Sequence, residues 1–119
     1  MITGFESETG ALTPYEELTL VPVVVAGLQV KVGKDRAVKN GYICDTLRKK
    51  GYDITEARLR KIINFIRTAN LITGLIATSS GYYVASSRKE MRDYADSLLG
   101  REMAIRQVRE SIEAQMANY

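Results

Sequence analysis

The chain has 119 residues, a formal net charge of +3 and a hydrophobic fraction of 45%, which supports one globular domain with an extension. The chain holds one cysteine, Cys44, and no histidine. This composition excludes an intramolecular disulfide, Cys/His zinc sites and histidine-based acid–base catalysis. A metal site of Asp and Glu alone, as in a carboxylate-metal nuclease, stays open. No acidic cluster lies in an apolar setting, so we expect no enzymatic activity, no metal and no cofactor.

Positive charge is concentrated in the middle of the chain. Residues 34–88 carry a net +7, whereas residues 1–33 carry −3 and residues 89–119 carry −1. A polyanionic partner is therefore expected to bind the middle segment. No apolar run approaches the roughly 20 residues that cross a membrane, and the N-terminus lacks the basic segment of a signal peptide. We expect a soluble, unexported protein without membrane contacts or a small-molecule substrate.

The N-terminal third is predicted to hold an arm and one helix. Residues 1–13 show no periodicity and are interpreted as an N-terminal arm. Thr13 is a suitable N-cap, and Pro14 fits the first helical position. Apolar residues then recur at mostly helical spacing, which predicts a helix over residues 14–32 with a kink at Pro22.

Two further helices are predicted in the basic segment. Ala37-Val38 is expected to form a very short strand, and Asn40 is expected to cap a second helix that ends near Lys50, before Gly51. Thr55 is predicted to cap a third helix over residues 55–69. Its buried stripe is expected to consist of Leu59, Ile62, Ile63 and Ile66.

The pattern then changes to β-type runs and returns to helix. Residues 75–78 and 82–85 are predicted to form a hairpin around Ser79-Ser80-Gly81, where Gly81 can supply a positive φ. Ser87 and Glu90 match a capping box that opens a long last helix.

Taken together, the order of helix, basic connection, helix, short turn, helix and hairpin is typical of a winged helix-turn-helix. The predicted fold class is mainly α with a small β-hairpin wing, followed by a long C-terminal helix. The domains are then the arm (1–13), the winged helix-turn-helix (14–86) and the last helix (87–119). The third helix takes the recognition position.

The outward arc of the third helix carries side chains suited to base edges. Arginine or lysine can bind guanine, and asparagine can bind adenine. Thr55 and the free amides at the helix start are expected to hold a phosphate, and basic residues nearby and Ser80 at the wing tip are expected to contact the backbone. The predicted DNA-binding residues are Arg58, Lys61, Asn64, Thr55, Arg60, Arg67, Lys49, Lys39 and Ser80, with Lys34, Arg36, Arg48 and Lys50 as further phosphate contacts. The alternatives left open are a solvated helix face and a plain polar turn.

The last helix is too long to pack entirely on its own domain. About 30 residues at 1.5 Å each give ~45 Å. Apolar residues at Met91, Tyr94, Leu98, Ile105, Val108 and Ile112 approximate a heptad with a gap at Arg101. We expect a homodimer through this helix. The alternative is a helix that lies on its own domain or frays.

Three stretches resemble small winged helix proteins encoded by phages and prophages. They are Gly33-Lys34-Asp35, the residues 55–67 and the run 75–85, which contains Gly81-Tyr82-Tyr83 before a helix rich in Arg and Glu. The resemblance covers roughly residues 33–112. It implies a DNA-binding protein of a phage or mobile element, acting in transcription regulation or DNA replication in the cytoplasm of a bacterium or a phage-infected host cell.

The leading hypothesis is therefore binding of double-stranded DNA by a dimer, with the helix 55–69 in the major groove. The alternative is a winged helix used as a protein-interaction or assembly module without DNA binding.

Overall fold

A computed structural model describes residues 10–119, which are mainly helical with one two-stranded antiparallel sheet. The chain divides between Ser86 and Ser87 into two compact units. The first contains a π-helical turn (Glu16–Leu20), α1 (Val21–Leu28), a 3-10 turn (Lys34–Arg36), α2 (Asn40–Lys49), α3 (Glu56–Thr68), β1 (Leu75–Thr78) and β2 (Gly81–Val84). The second contains α4 (Arg88–Gln115) and a 3-10 turn (Met116–Asn118). The expected arm, residues 1–13, lies outside the described residues except for 10–13.

The first helix is capped as predicted but is shorter. Thr13 Oγ1 accepts a hydrogen bond from the Glu16 amide at 3.1 Å. The backbone widens into the π-helical turn just before Pro22, which has no N–H to donate and crowds the carbonyl four residues earlier. The prediction of helix to residue 32 is wrong. α1 ends at Leu28, because Val32 instead forms a bridge with Val84.

The second helix ends as predicted but begins differently. Gly51 follows α2 with a φ of 93°, and its amide donates to the Arg48 carbonyl at 2.9 Å. Asn40 is not the N-cap. It is the first helical residue, Lys39 is the cap, and no side chain caps this end. The Asn40 side chain is bound to α3 and β2 instead.

The third helix matches its prediction closely. Thr55 is the N-cap, with its Oγ1 accepting from the Arg58 amide at 3.2 Å. All four residues of the predicted stripe are buried, and they form the centre of a core that α1 and α2 complete. Cys44 belongs to the same core, as expected of a small buried residue. The core residues include Leu20, Val21, Val24, Leu28, Leu47, Leu59, Ile62, Ile63 and Ile66.

The predicted hairpin is present, with a two-residue turn at Ser79-Ser80. Its register pairs Leu75 with Val84 and Ile76 with Tyr83. Since partners across the strands share a face, the first pair packs on the main core, and the second pair is buried on the opposite face. The expected short strand at Ala37-Val38 is a single bridge from Val38 to Tyr82.

α4 begins at the predicted cap, where Ser87 Oγ accepts from the Glu90 amide at 3.2 Å. None of its residues is buried. Its surface carries four ion pairs between residues four apart, which support a solvent-exposed helix.

Candidate nucleic-acid interface

The exposed face of α3 is narrower than the sequence predicted. Arg60, Asn64 and Thr68 are exposed, and Ala57 and Lys61 are half-buried beside them. The Thr68 hydroxyl donates a hydrogen bond to the Asn64 carbonyl at 3.0 Å. The side chain therefore lies close to the helix backbone and does not project from the end of α3. The face therefore presents two long cations and one amide between small residues. This is a combination that base edges can accept.

Arg58 does not lie on that face, and the prediction of an outward-pointing Arg58 is wrong. Its guanidinium binds both carboxylate oxygens of Glu16, with Nε at 2.9 Å and an Nη at 2.6 Å. Its remaining donors reach the carbonyls of Gly10 at 2.9 Å and Ala11 at 3.1 Å. Only 13% of the Arg58 side chain is exposed. The arginine therefore fastens the segment before the first helix to the start of α3.

Glu16 is the partner that the sequence interpretation missed. It is 6% exposed, and it forms a reciprocal capping box in which its Oε1 accepts from the Thr13 amide at 2.8 Å. Hydrogen bonds from Arg58 lower the pKa of the Glu16 carboxyl although burial opposes them. The same pairing raises the pKa of Arg58. The available signal was a Thr-x-x-Glu box at the start of the first helix.

The start of α3 is a poor anion site, contrary to the expectation for Thr55. The Thr55 hydroxyl oxygen already accepts from Arg58 N. The adjacent cavity of about 400 Å³ is lined by Arg58, which is already paired with Glu16, and by the carboxylates of Glu16 and Asp53. Because these repel a phosphate, Thr55 is a structural cap in this arrangement.

The flank of α3 that holds Arg60 and Arg67 lies near β2. Burial raises the pKa of the Tyr82 hydroxyl, and the positive charges of Arg60 and Arg67 partly offset that rise. Tyr82 donates to Asn40 Oδ1 at 3.0 Å, and Asn40 Nδ2 donates to the Glu56 carbonyl at 3.0 Å. Asn40 thus joins the start of α2, the start of α3 and the hairpin. The sequence predicted only a local role for Asn40, as the N-cap of α2.

The other predicted contacts fall into two groups. Lys39 is exposed next to Val38, which pairs with β2, so its charge lies on the hairpin side of the unit. The exposed 3-10 turn with Lys34 and Arg36 precedes it. Lys49 lies at the other end of α2, about 15 Å away along the helix axis. Lys39 and Lys49 therefore lie at opposite ends of α2 and belong to different groups of predicted contacts.

Arg48 and Ser80 have local partners. Arg48 donates to the Ile54 carbonyl at 2.9 Å and lies 4.0 Å from Asp45, so it closes the turn between α2 and α3. Ser80 is exposed at the hairpin tip, where its amide donates to Thr78 Oγ1 at 3.2 Å. Lys49 is the last residue of α2 and Lys50 follows it, where positive charge also suits the helix dipole.

Within residues 10–119, no group of His, Cys, Asp and Glu is arranged to hold a metal ion. Over the same residues, no helix is both long enough and apolar enough to span a bilayer. Comparisons with protein-family models, curated proteins and solved structures gave no significant match.

Proposed function

We propose that this protein binds duplex DNA as a winged helix-turn-helix, with α3 in the major groove. One observation carries the proposal: α3 buries one face completely and presents Arg60, Lys61 and Asn64 on the other. Arginine and lysine can bind guanine edges, and asparagine can bind adenine in two places. Ala57 and Thr68 on the same face allow a close approach to the bases.

The surrounding elements support this proposal. α2 and α3 are joined by a short turn, and the hairpin of β1 and β2 follows α3. The hairpin is connected to the segment before α2 by the Val38–Tyr82 bridge. This order of elements is typical of winged helix-turn-helix proteins.

The roles differ from those assigned by sequence alone. Arg58 becomes a positioning residue that holds the N-terminal segment against α3. We assign the base contacts to Arg60, Lys61 and Asn64. We assign the phosphate contacts to the basic residues on the hairpin side, which are Lys34, Arg36 and Lys39. We further propose that the protein acts as a dimer in transcription regulation or replication of a phage or mobile element.

A double variant tests the DNA interface. Arg60→Ala with Lys61→Ala is expected to weaken binding to duplex DNA at least tenfold, because it removes both long cations from the groove face. Fluorescence anisotropy across a salt series measures this. With about six phosphates neutralised, the wild-type slope of log K against log salt is expected near −5. The variant slope should be smaller in magnitude by about 1 for each phosphate that the variant no longer neutralises.

The matched control removes the same charge from the other unit. Lys89 and Arg92 are exposed on α4, and each pairs with a neighbour on that helix. Lys89→Ala with Arg92→Ala should retain wild-type affinity. Lack of wild-type binding at low salt, or equal losses in both double variants, would refute a specific role for α3.

The second candidate function is a protein-interaction module without DNA binding. Exposed apolar residues on α4 favour it, including Ile105 at 70% and Val108 at 64%. Light scattering on the Arg60→Ala/Lys61→Ala variant separates the two functions. Under the DNA-binding proposal, the oligomer size of this variant is unchanged while its DNA affinity falls at least tenfold. Under the alternative, wild-type protein associates but does not bind DNA.

A further inference from the structure

We infer that two copies of this chain associate through α4 in antiparallel orientation. The inference rests on the proposed dimer and is independent of DNA binding. α4 carries an apolar seam in heptad positions a and d, defined as Met91, Tyr94, Leu98, Ile105, Val108 and Ile112. In the second half of the seam the exposed fractions are 70% for Ile105, 64% for Val108 and 54% for Ile112. Burying this stripe against a second copy removes it from water.

The ion pairs of α4 lie outside positions a and d of the seam. Three ion pairs lie wholly on the outer heptad positions b, c and f: Lys89–Asp93, Arg92–Asp96 and Arg106–Glu110. The fourth, Arg109–Glu113, begins at position e beside the seam. The helix therefore has a solvated side and an apolar side, as in a two-stranded coiled coil.

Arg101 argues for the antiparallel orientation. It occupies position d in the middle of the seam. In a parallel, in-register pair, each d residue faces its own copy, so two guanidinium groups would be placed together in a partly desolvated site. In an antiparallel pair, d faces a. Arg101 then packs its aliphatic stem on an apolar residue, and its charged end can extend to a carboxylate at the edge.

The residues beside the seam, at heptad positions e and g, independently favour the antiparallel orientation. From residue 97 onward the g positions are small, with Ser97, Ala104 and Ser111 at successive heptads, whereas the e positions include Glu102 and Arg109. Parallel helices place e against g, which would set both charges against serine or alanine. Antiparallel helices place e against e and g against g. Glu102 then faces the edge bearing Arg109 of the second copy, and the small edges allow close approach.

Spin-label distances test the orientation in the full-length chain without DNA. Arg92→Cys and Gln107→Cys are labelled separately, and the unmodified chain checks that buried Cys44 does not react. Since α4 rises 1.5 Å per residue, an antiparallel pair places the two labels at 107 within about 20 Å and the two labels at 92 about 35–45 Å apart. Equal short distances at both sites, or a monomer at labelling concentration, would overturn the inference.

A charge exchange tests the facing edges. Glu102→Arg and Arg109→Glu are each expected to weaken self-association about tenfold, because each reversal replaces the two symmetry-related exposed ion pairs of the dimer by like-charge pairs. The double variant should return towards wild-type association, because opposite charges face each other again. Gln107→Glu, off the seam, is the control. If the affinity losses of the two single variants multiply in the double variant, the e positions of the two copies do not contact each other. A failure of DNA binding would leave both results unaffected.

Discussion

At the scale of single residues, the burial of Arg58 changes what its charge can do. On a helical wheel, Arg58 lies about 90° from the centre of the stripe formed by Leu59, Ile62, Ile63 and Ile66. It is thus a flank residue, and the first helix supplies Glu16 on that flank. Both partners are largely removed from water, so each depends on the other for compensation. A cation that resembles a DNA contact in the sequence is a link between distant segments in the fold.

Removing the Glu16 charge is expected to destabilise the first unit. Glu16→Gln leaves the largely buried Arg58 guanidinium without a carboxylate, which is expected to cost up to about 3 kcal/mol of unfolding free energy at pH 7. The pKa of Glu16 is lowered in the folded state, so its ionisation stabilises the fold above the ordinary glutamate pKa of about 4.3. That contribution disappears as the pH falls through the lowered pKa. Urea denaturation across pH measures both effects.

Glu17→Gln is the matched control, because Glu17 is the exposed neighbour of Glu16. It should change stability by less than about 0.5 kcal/mol. The ion pair contributes little if Glu16→Gln lowers the unfolding free energy no more than Glu17→Gln does. The same conclusion follows if the difference between Glu16→Gln and wild type does not decrease at acidic pH.

At the scale of elements, the hairpin depends on a close backbone contact with Val38, two residues before α2. Tyr82 and Val38 exchange two backbone hydrogen bonds, at 2.8 and 3.0 Å. Gly81 makes this possible: it has a φ of 117°, and a Cβ there would lie 2.4 Å from the Val38 carbonyl oxygen. The sequence indicated Gly81 for the turn, and the close approach of another segment is a second reason for glycine.

Gly81→Ala is therefore expected to lower the unfolding free energy by about 2–4 kcal/mol, because the methyl group displaces backbone and the φ is strained. Thermal and urea denaturation measure the decrease. Gly27→Ala is the control: nothing lies within 4 Å of a Cβ at Gly27 in α1, so alanine should stabilise that helix by roughly 0.5–1 kcal/mol. Tolerance of alanine at residue 81 would mean that the Val38–Tyr82 bridge is dispensable.

At the scale of the whole molecule, charge and apolar surface are divided between the two units. Residues 10–86 carry a net +5, whereas residues 87–119 carry a near-neutral charge and the exposed apolar seam. This division supports a separation of tasks, in which the first unit would bind DNA and α4 would bring two copies together.

If the protein binds DNA as proposed, disrupting the seam is expected to weaken that binding without changing the exposed face of α3. Ile105→Arg should yield a monomer in light scattering, because it places a charge in the apolar seam. Since a monomer contacts fewer phosphates than a dimer, the salt dependence of DNA affinity should also fall, towards half the wild-type slope. A chain ending at Ser86 should behave in the same way. A variant that stays dimeric would place the self-association surface elsewhere.

The sequence by itself determined the features that depend on neighbours a few residues away. Thr13, Thr55 and Ser87 cap helices, Gly51 ends one, and the apolar period of α3 identifies its buried face, because caps and periodicity act within one or two turns. The change to β-type runs on either side of Ser79-Ser80-Gly81 located the hairpin. Together these features were sufficient to recover the order of elements.

Only the tertiary structure decided the roles that depend on distant partners. Arg58 binds Glu16 across 42 positions of sequence, and Asn40 binds Glu56 across 16. The first helix ends at Leu28 because Val32 pairs with Val84, a contact that no local propensity encodes. A charge or amide has the same local appearance whether it faces water or a partner, so its role is decided by the segment that folds against it.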